Sequence, residues 1–131
     1  MDWKGGSLTF NAGFDSVRAQ LNSGNNRNLP RIPPQRWLLG ALFDLDSLQA
    51  EISWRRVSDQ EKVGIAELPT EGYDDLRLHI GYSLDVGENP IQLFLSGRNL
   101  TDDEQRLHTS FIKDLAPQLG RTIEAGVQMQ F

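Results

Sequence analysis

The stretch Arg121-Thr122-Ile123-Glu124-Ala125-Gly126-Val127-Gln128-Met129-Gln130-Phe131 decides the fold. Odd positions Ile123, Ala125, Val127, Met129 and Phe131 are apolar. Even positions Thr122, Glu124, Gly126, Gln128 and Gln130 are polar or Gly. Period 2 over this length predicts a β-strand with one oily face and one wet face. Such a strand also crosses a bilayer when tilted, which takes about 9–11 residues.

Five more strands are expected upstream. The first runs from about Ser7 to Leu21, with Leu8, Phe10, Ala12 and Phe14 opposite Thr9, Asn11, Gly13 and Asp15. Its phase then slips to Val17, Ala19 and Leu21, which predicts a β-bulge near Asp15-Ser16. The second covers about Gln35 to Leu45, with Trp37, Leu39, Ala41, Phe43 and Leu45 on its apolar face. The third covers about Ser47 to Gln60, with Leu48, Ala50, Ile52 and Trp54 apolar. The fourth covers about Tyr73 to Asp85, with Leu76, Leu78, Ile80, Tyr82 and Leu84 apolar. The fifth covers about Ile91 to Leu100. No long stretch repeats apolar residues at helical spacing, and only Asp102 to Leu107 is expected to form a helical turn.

Composition narrows the class. The 131 residues suit one domain over 1–131. Mean hydropathy is −0.45, which leaves no apolar run for a transmembrane helix. Barrel strands hide their lipid face in alternation, so a low mean is compatible with a membrane wall. The net charge of −5 offers no basic stripe, so nucleic acid is not an expected partner. There is no Cys, hence no disulfide or thiolate metal site. The amino terminus, Met1-Asp2-Trp3-Lys4-Gly5-Gly6, lacks the regions of a signal peptide, as either a cytosolic protein or a mature or truncated exported piece would, and the strand pattern favours the truncated piece.

Connection lengths alternate. Leu45-Asp46-Ser47 and Gly87-Glu88-Asn89-Pro90 are tight, whereas Asn22–Pro34, Glu61–Gly72 and Thr101–Gln118 are long. Transmembrane barrels have short periplasmic turns and long outer loops. Trp3, Trp37, Trp54, Tyr73 and Tyr82 lie where an interfacial girdle would draw from them. The expected fold is all-β: a six-stranded antiparallel meander in a curved open sheet, the terminal part of a large transmembrane β-barrel. Bacterial barrels begin at about eight strands, so earlier strands are expected to lie outside this chain. A soluble β-sheet binding module is the alternative of another class. A small self-assembling outer-membrane barrel is a further one.

Three segments resemble TonB-dependent outer-membrane receptors. Arg98-Asn99-Leu100 with Thr101-Asp102 is similar to the end of their penultimate strand. The run His108-Thr109-Ser110-Phe111-Ile112-Lys113-Asp114, followed by Gly120-Arg121, resembles their last outer loop, closest to the zinc-uptake branch. Asn28-Leu29-Pro30-Arg31-Ile32-Pro33-Pro34-Gln35-Arg36 resembles a loop descending into a strand. Glu124, Gly126, Met129 and Phe131 match the signal read by the barrel-assembly machinery, although Tyr is common where Met129 stands. The resemblance implies a barrel of about 22 strands in the bacterial outer membrane, filled by a plug that contacts TonB, with the plug and the earlier strands expected outside this chain. The implied partners are outer-membrane lipid, the assembly machinery, the plug, TonB, and a transported metal ion such as zinc or a metal chelate or siderophore.

Candidate metal ligands are few. His108 lies in the last long loop near Asp102, Asp103, Glu104 and Asp114, and His79 is expected on the wet face between Arg77 and Gly81. Imidazole suits Zn²⁺, but neither His has a second one at ligand spacing. Arg55, Arg77 and Arg98 with Glu51, Asp75 and Glu124 predict paired charges along the inner wall. There is no catalytic constellation and no motif for a cofactor, so a transporter wall and not an enzyme is expected.

Overall fold

The computed structural model describes residues 2–3, 5–86 and 89–129. Phe131, the aromatic end of the expected assembly signal, lies outside them, as do Gly87 and Glu88 of the second tight turn. Seven strands form one sheet in chain order, every neighbouring pair antiparallel: β1 (Asp2–Trp3), β2 (Gly6–Asp15), β3 (Arg36–Leu45), β4 (Leu48–Val57), β5 (Tyr73–Val86), β6 (Asn89–Arg98) and β7 (Thr122–Met129). The six long strands are the six expected ones, and there is no helix among the described residues. The two-residue β1 is additional to them.

Three boundaries differ for physical reasons. β2 ends at Asp15 and does not bulge onward to Leu21; its last pair is Asp15 with Arg36. Pro33 and Pro34 stand on the opposing chain just beyond that pair, and proline has no N–H to donate to a ladder. β4 ends at Val57 instead of Gln60, which forms only an isolated bridge to Thr70. β6 ends at Arg98 because Asn99 turns to a positive φ of 49°. The helical turn expected at Asp102–Leu107 is absent, since Asp102 has φ 62° and its carboxylate is bound to Arg121. A single turn occurs later, where Ala116 N donates to Ile112 O at 2.9 Å.

Register aligns the apolar positions into continuous rows. One row reads Phe10, Ala41, Ile52, Leu78, Gly97, Ile123; the next reads Leu8, Phe43, Ala50, Ile80, Leu95, Ala125. Towards the loop end, Phe14 and Trp37 pack at 4.5 Å between ring centroids, in a row continued by Arg56 and Asp74. Trp54 donates its indole N–H to Asp74 at 2.9 Å from the row below. Tyr73 belongs to the opposite face, in register with Val57 and Arg36, and is not a girdle residue.

Burial is inverted relative to a water-soluble sheet. Phe10 is 71% exposed, Ile123 66% and Val127 62%, all on the apolar face. Val57 and Tyr73 are the buried hydrophobic residues among those described, whereas Thr70, Asp75, Asn99, Gln105, His108 and Lys113 are buried polar ones. A soluble sheet hides its oily face under a second layer. Here the oily face is open and the packed centre is polar, at the end where the long loops fold together.

Candidate functional site

The polar face and the long loops form one continuous polar region. On the sheet, Asp75 of β5 is buried and accepts from Arg55 and Arg77, each 2.7 Å from its Oδ2. Arg98 pairs with Glu124 across β6 and β7 at 2.8 Å. Alternation places all these residues on one side, so five of the six expected charges pair along it, whereas Glu51 stands opposite His79 and in none of these ion pairs. His79 hydrogen-bonds Ser96 at 2.7 Å and stacks near Phe94, at 6.4 Å between centroids. Phe94 is one of several apolar residues on this face, with Leu38, Leu42, Val57 and Tyr73. It lies in register between Gly81 and Gly126, and a Cβ at Gly126 would collide with its ring.

The segment at the end of β6 works as a loop staple. Gly97 leaves room for the Leu100 side chain, which a Cβ would meet at 2.8 Å. Asn99 adopts a left-handed turn, tolerated by Asn through local hydrogen bonding. Its Nδ2 donates to Asp103 O at 3.0 Å and Leu119 O at 3.2 Å. Asp102 accepts from the backbone N–H and guanidinium of Arg121, each at 3.0 Å. Thus Arg98-Asn99-Leu100 and Gly120-Arg121, separate in sequence, close the base of one loop. Ser110 accepts from Ile112 N at 3.2 Å, and Thr109 lies beside a small cavity under the loop.

Above the staple, Glu67 joins all three long loops. Its Oε1 accepts from Arg31 N at 2.9 Å and from Lys113 Nζ at 3.2 Å, and its Oε2 accepts from Gly64 N at 2.9 Å. Lys113 also donates to Leu68 O at 2.6 Å. The Arg31 guanidinium sits 3.3 Å from the Phe111 ring centroid, a second tie between the first and third loops. Burial raises the Glu67 carboxyl pKa, but the two backbone donors and Lys113 outweigh it and hold it below the usual range.

His108 is 2% exposed within this cluster. Its Nδ1 lies 2.9 Å from Thr70 Oγ1 and 3.2 Å from Lys113 Nζ. Its Nε2 is 3.3 Å from Glu67 Oε1, within ion-pairing reach but out of hydrogen-bond alignment. Burial, then Lys113, push the imidazole pKa down, so the neutral ring is favoured. Asp103 accepts from Asp74 N at 2.8 Å and Glu104 pairs with Arg106 at 2.6 Å. Among the described residues no three His, Cys, Asp or Glu side chains converge as a metal site. Sequence reading misses Glu67, Thr70 and Arg31 as members of this cluster because their residue types carry no spacing signal; Lys113 stands out only by resemblance.

No protein-family model matches the chain, and no curated protein matches it. Among solved structures it is similar to the copper transporter OprC, with TM-score 0.69 and 23% identity over 92% of this chain. The match covers 21% of that protein, so this chain spans about a fifth of its length. At this identity the likeness shows the fold: an antiparallel meander shared with part of a much larger protein. OprC is by name a copper transporter, so the likeness lends no weight to the zinc branch that the loop motif resembles.

Proposed function

We propose that this chain is part of the wall of a TonB-dependent outer-membrane transporter for a metal ion or metal chelate. The open apolar face carries the reading. Strands of about ten residues at about 3.3 Å per residue, tilted by about 35–45°, project onto about 25 Å, the height of a barrel's lipid band. Each large apolar side chain on that face gains about 1.5–3 kcal/mol on leaving water, which favours lipid over solvent as its neighbour. The other face then borders a wet lumen, and Glu67 and its partners cap the wall on the outer side. The OprC-like fold and the Arg98–Asp102 and His108–Arg121 motifs support the same reading.

The outer membrane, the plug, TonB and the assembly machinery follow as partners within this proposal. Glu124, Gly126, Met129 and Phe131 would serve as the strand captured during assembly, using the free edge of β7. Deleting Phe131 from the receptor should lower its membrane yield; an unchanged yield removes that role. Zinc follows from the loop motif and copper from the neighbour's name. Uptake of labelled zinc and copper by cells producing the receptor separates them, and no uptake of either overturns the metal reading.

The wall itself is tested by tryptophan quenching. Trp37 and Trp54 lie on the apolar face near the loop end. With the chain in vesicles, quenchers near the lipid headgroups should dim them more than quenchers in water. A soluble monomer quenched only from water overturns the proposal in favour of a soluble binding module.

A further inference from the structure

A notch of about 660 Å³ lies at the loop end of the sheet, where the chain leaves three neighbouring strands. Residues 16–20 beyond β2 and 58–62 beyond β4 line it, with Ile32, Pro33, Pro34 and Gln35 leading into β3 between them. A cleft of this size suits a small ligand or a headgroup.

The notch reaches the oily side of the sheet. Gln35 O accepts from Ser58 N at 3.0 Å, and Gln35 Nε2 donates to Ser16 Oγ at 3.1 Å, so strand-like contacts run one step past the strand ends. Ser16, Gln35 and Ser58 stand two positions from Phe14, Trp37 and Arg56, and alternation puts them on the same face. They form a row of hydroxyls and an amide just above the row where the oily face ends. With that face in lipid, their height is the headgroup layer.

The lining has two kinds of surface. Ile32, Pro33 and Pro34 offer C–H groups, whereas the Ser16–Gln35–Ser58 row offers donors and acceptors. Arg18 and Lys62 also line the notch, and among the described residues neither side chain has an ion pair or hydrogen bond. Of the two acids there, Asp59 is held by Gly72 N at 2.6 Å and Glu61 is open to a ligand.

We propose that the notch binds the phosphorylated sugar headgroup of an outer-leaflet lipid. This rests on the wall reading above. A sugar ring has a C–H face, which the prolines cover, and a rim of hydroxyls, which the serines, Gln35 and Glu61 meet. Arg18 and Lys62 take the phosphate through charge-assisted hydrogen bonds. A phospholipid without sugar satisfies the two cations but not the row beneath them.

The test embeds the chain in phosphatidylcholine vesicles with increasing amounts of dansyl-labelled lipid A that carries its inner core sugars. Energy transfer from the tryptophans should saturate, and unlabelled glycolipid should compete where phosphatidylglycerol does not. R18Q/K62Q changes two exposed side chains and should raise half-saturation about tenfold or more. S58F fills the notch without altering charge and should leave only the unsaturable transfer of chance encounters. Headgroup quenching and circular dichroism report embedding and strand content for each variant. In an embedded, folded chain, saturation unchanged by both variants overturns the site, and equal competition by phosphatidylglycerol overturns the sugar. Equal competition by the free core sugar overturns the lipid as its source. Each of these leaves the wall reading standing. A chain that fails to embed overturns the wall reading, and the site with it.

Discussion

Glu67 and Lys113 meet at 3.2 Å with side chains 8% and 5% exposed, although 46 residues separate them in sequence. Two charges removed from water hold each other only if both remain. Removing one leaves the other buried and unpaired, at a cost of about 3–5 kcal/mol. K113M should therefore loosen the second and third loops, read as faster hydrogen exchange at Leu115, Ala116 and Gln118, whose amides bond within or across the loop. The double variant K113M/E67Q should recover most of the protection. Equal loss in both would show that the pair contributes nothing.

The same cluster sets a pH dependence. His108 has its folded pKa below the ordinary value of 6.5. The unfolded ring therefore takes a proton first as pH falls. Loop stability should be full above about 6.5 and decline from there down to the folded pKa, then level off as far as His108 is concerned. Glu67, held below its ordinary 4.5, adds a further loss in more acidic solution. Exchange protection of the third loop, corrected for intrinsic rates, should drop between about pH 7.5 and about pH 5.5. H108Q should flatten that drop.

Ile52 and Glu51 are adjacent but face opposite sides. Ile52 stands near mid-height of the apolar face, where Lys costs about 2–4 kcal/mol in a barrel wall. I52K should lower the denaturant midpoint of the chain in vesicles, whereas E51K should change it little. Similar losses from both would refute a lipid-facing side.

Phe94 and Gly126 should fix the register of β7. Strict alternation rejects a one-residue slip, because every side chain would change face. It does not reject a slip of two. Only Gly126 in β7 can lie under the Phe94 ring, since Glu124 and Gln128 carry side chains. G126A should cost about 1–3 kcal/mol through overpacking, and F94L should rescue it. Cysteines at 93 and 127 should cross-link in the parent chain. In G126A without rescue, part of the linkage should move to 93 and 125 or 129.

The strands are legible in the sequence because each residue's face depends only on its neighbours two positions away. The end of β2 is not, because the prolines that stop it stand across the sheet at Pro33 and Pro34. The Arg98–Asp102 segment is legible as a motif, but its role in closing the loop is hidden, because Asp102 needs Arg121 beside it before the staple exists. His108 stands out for its imidazole, whereas its burial depends on Glu67, Thr70 and Lys113, two of them on another loop. Phe94 reads as a fault in the alternation of β6 until Gly81 and Gly126 are placed on either side of it.

The row of Phe14, Trp37, Arg56 and Asp74 is where the oily face gives way to charge, with the Trp54 indole bound up to it from below. In the proposed barrel wall such a row would act as a waterline. It would fix how deep the wall sits, and the strand length beneath it would then fix which bilayers fit. A thicker bilayer would drag Arg56 and Asp74 into hydrocarbon, a mismatch relieved by thinning the lipid nearby or by snorkelling of the charged side chains. Bacterial outer membranes are thinner than average, so in the proposed barrel wall this short ruler would match them.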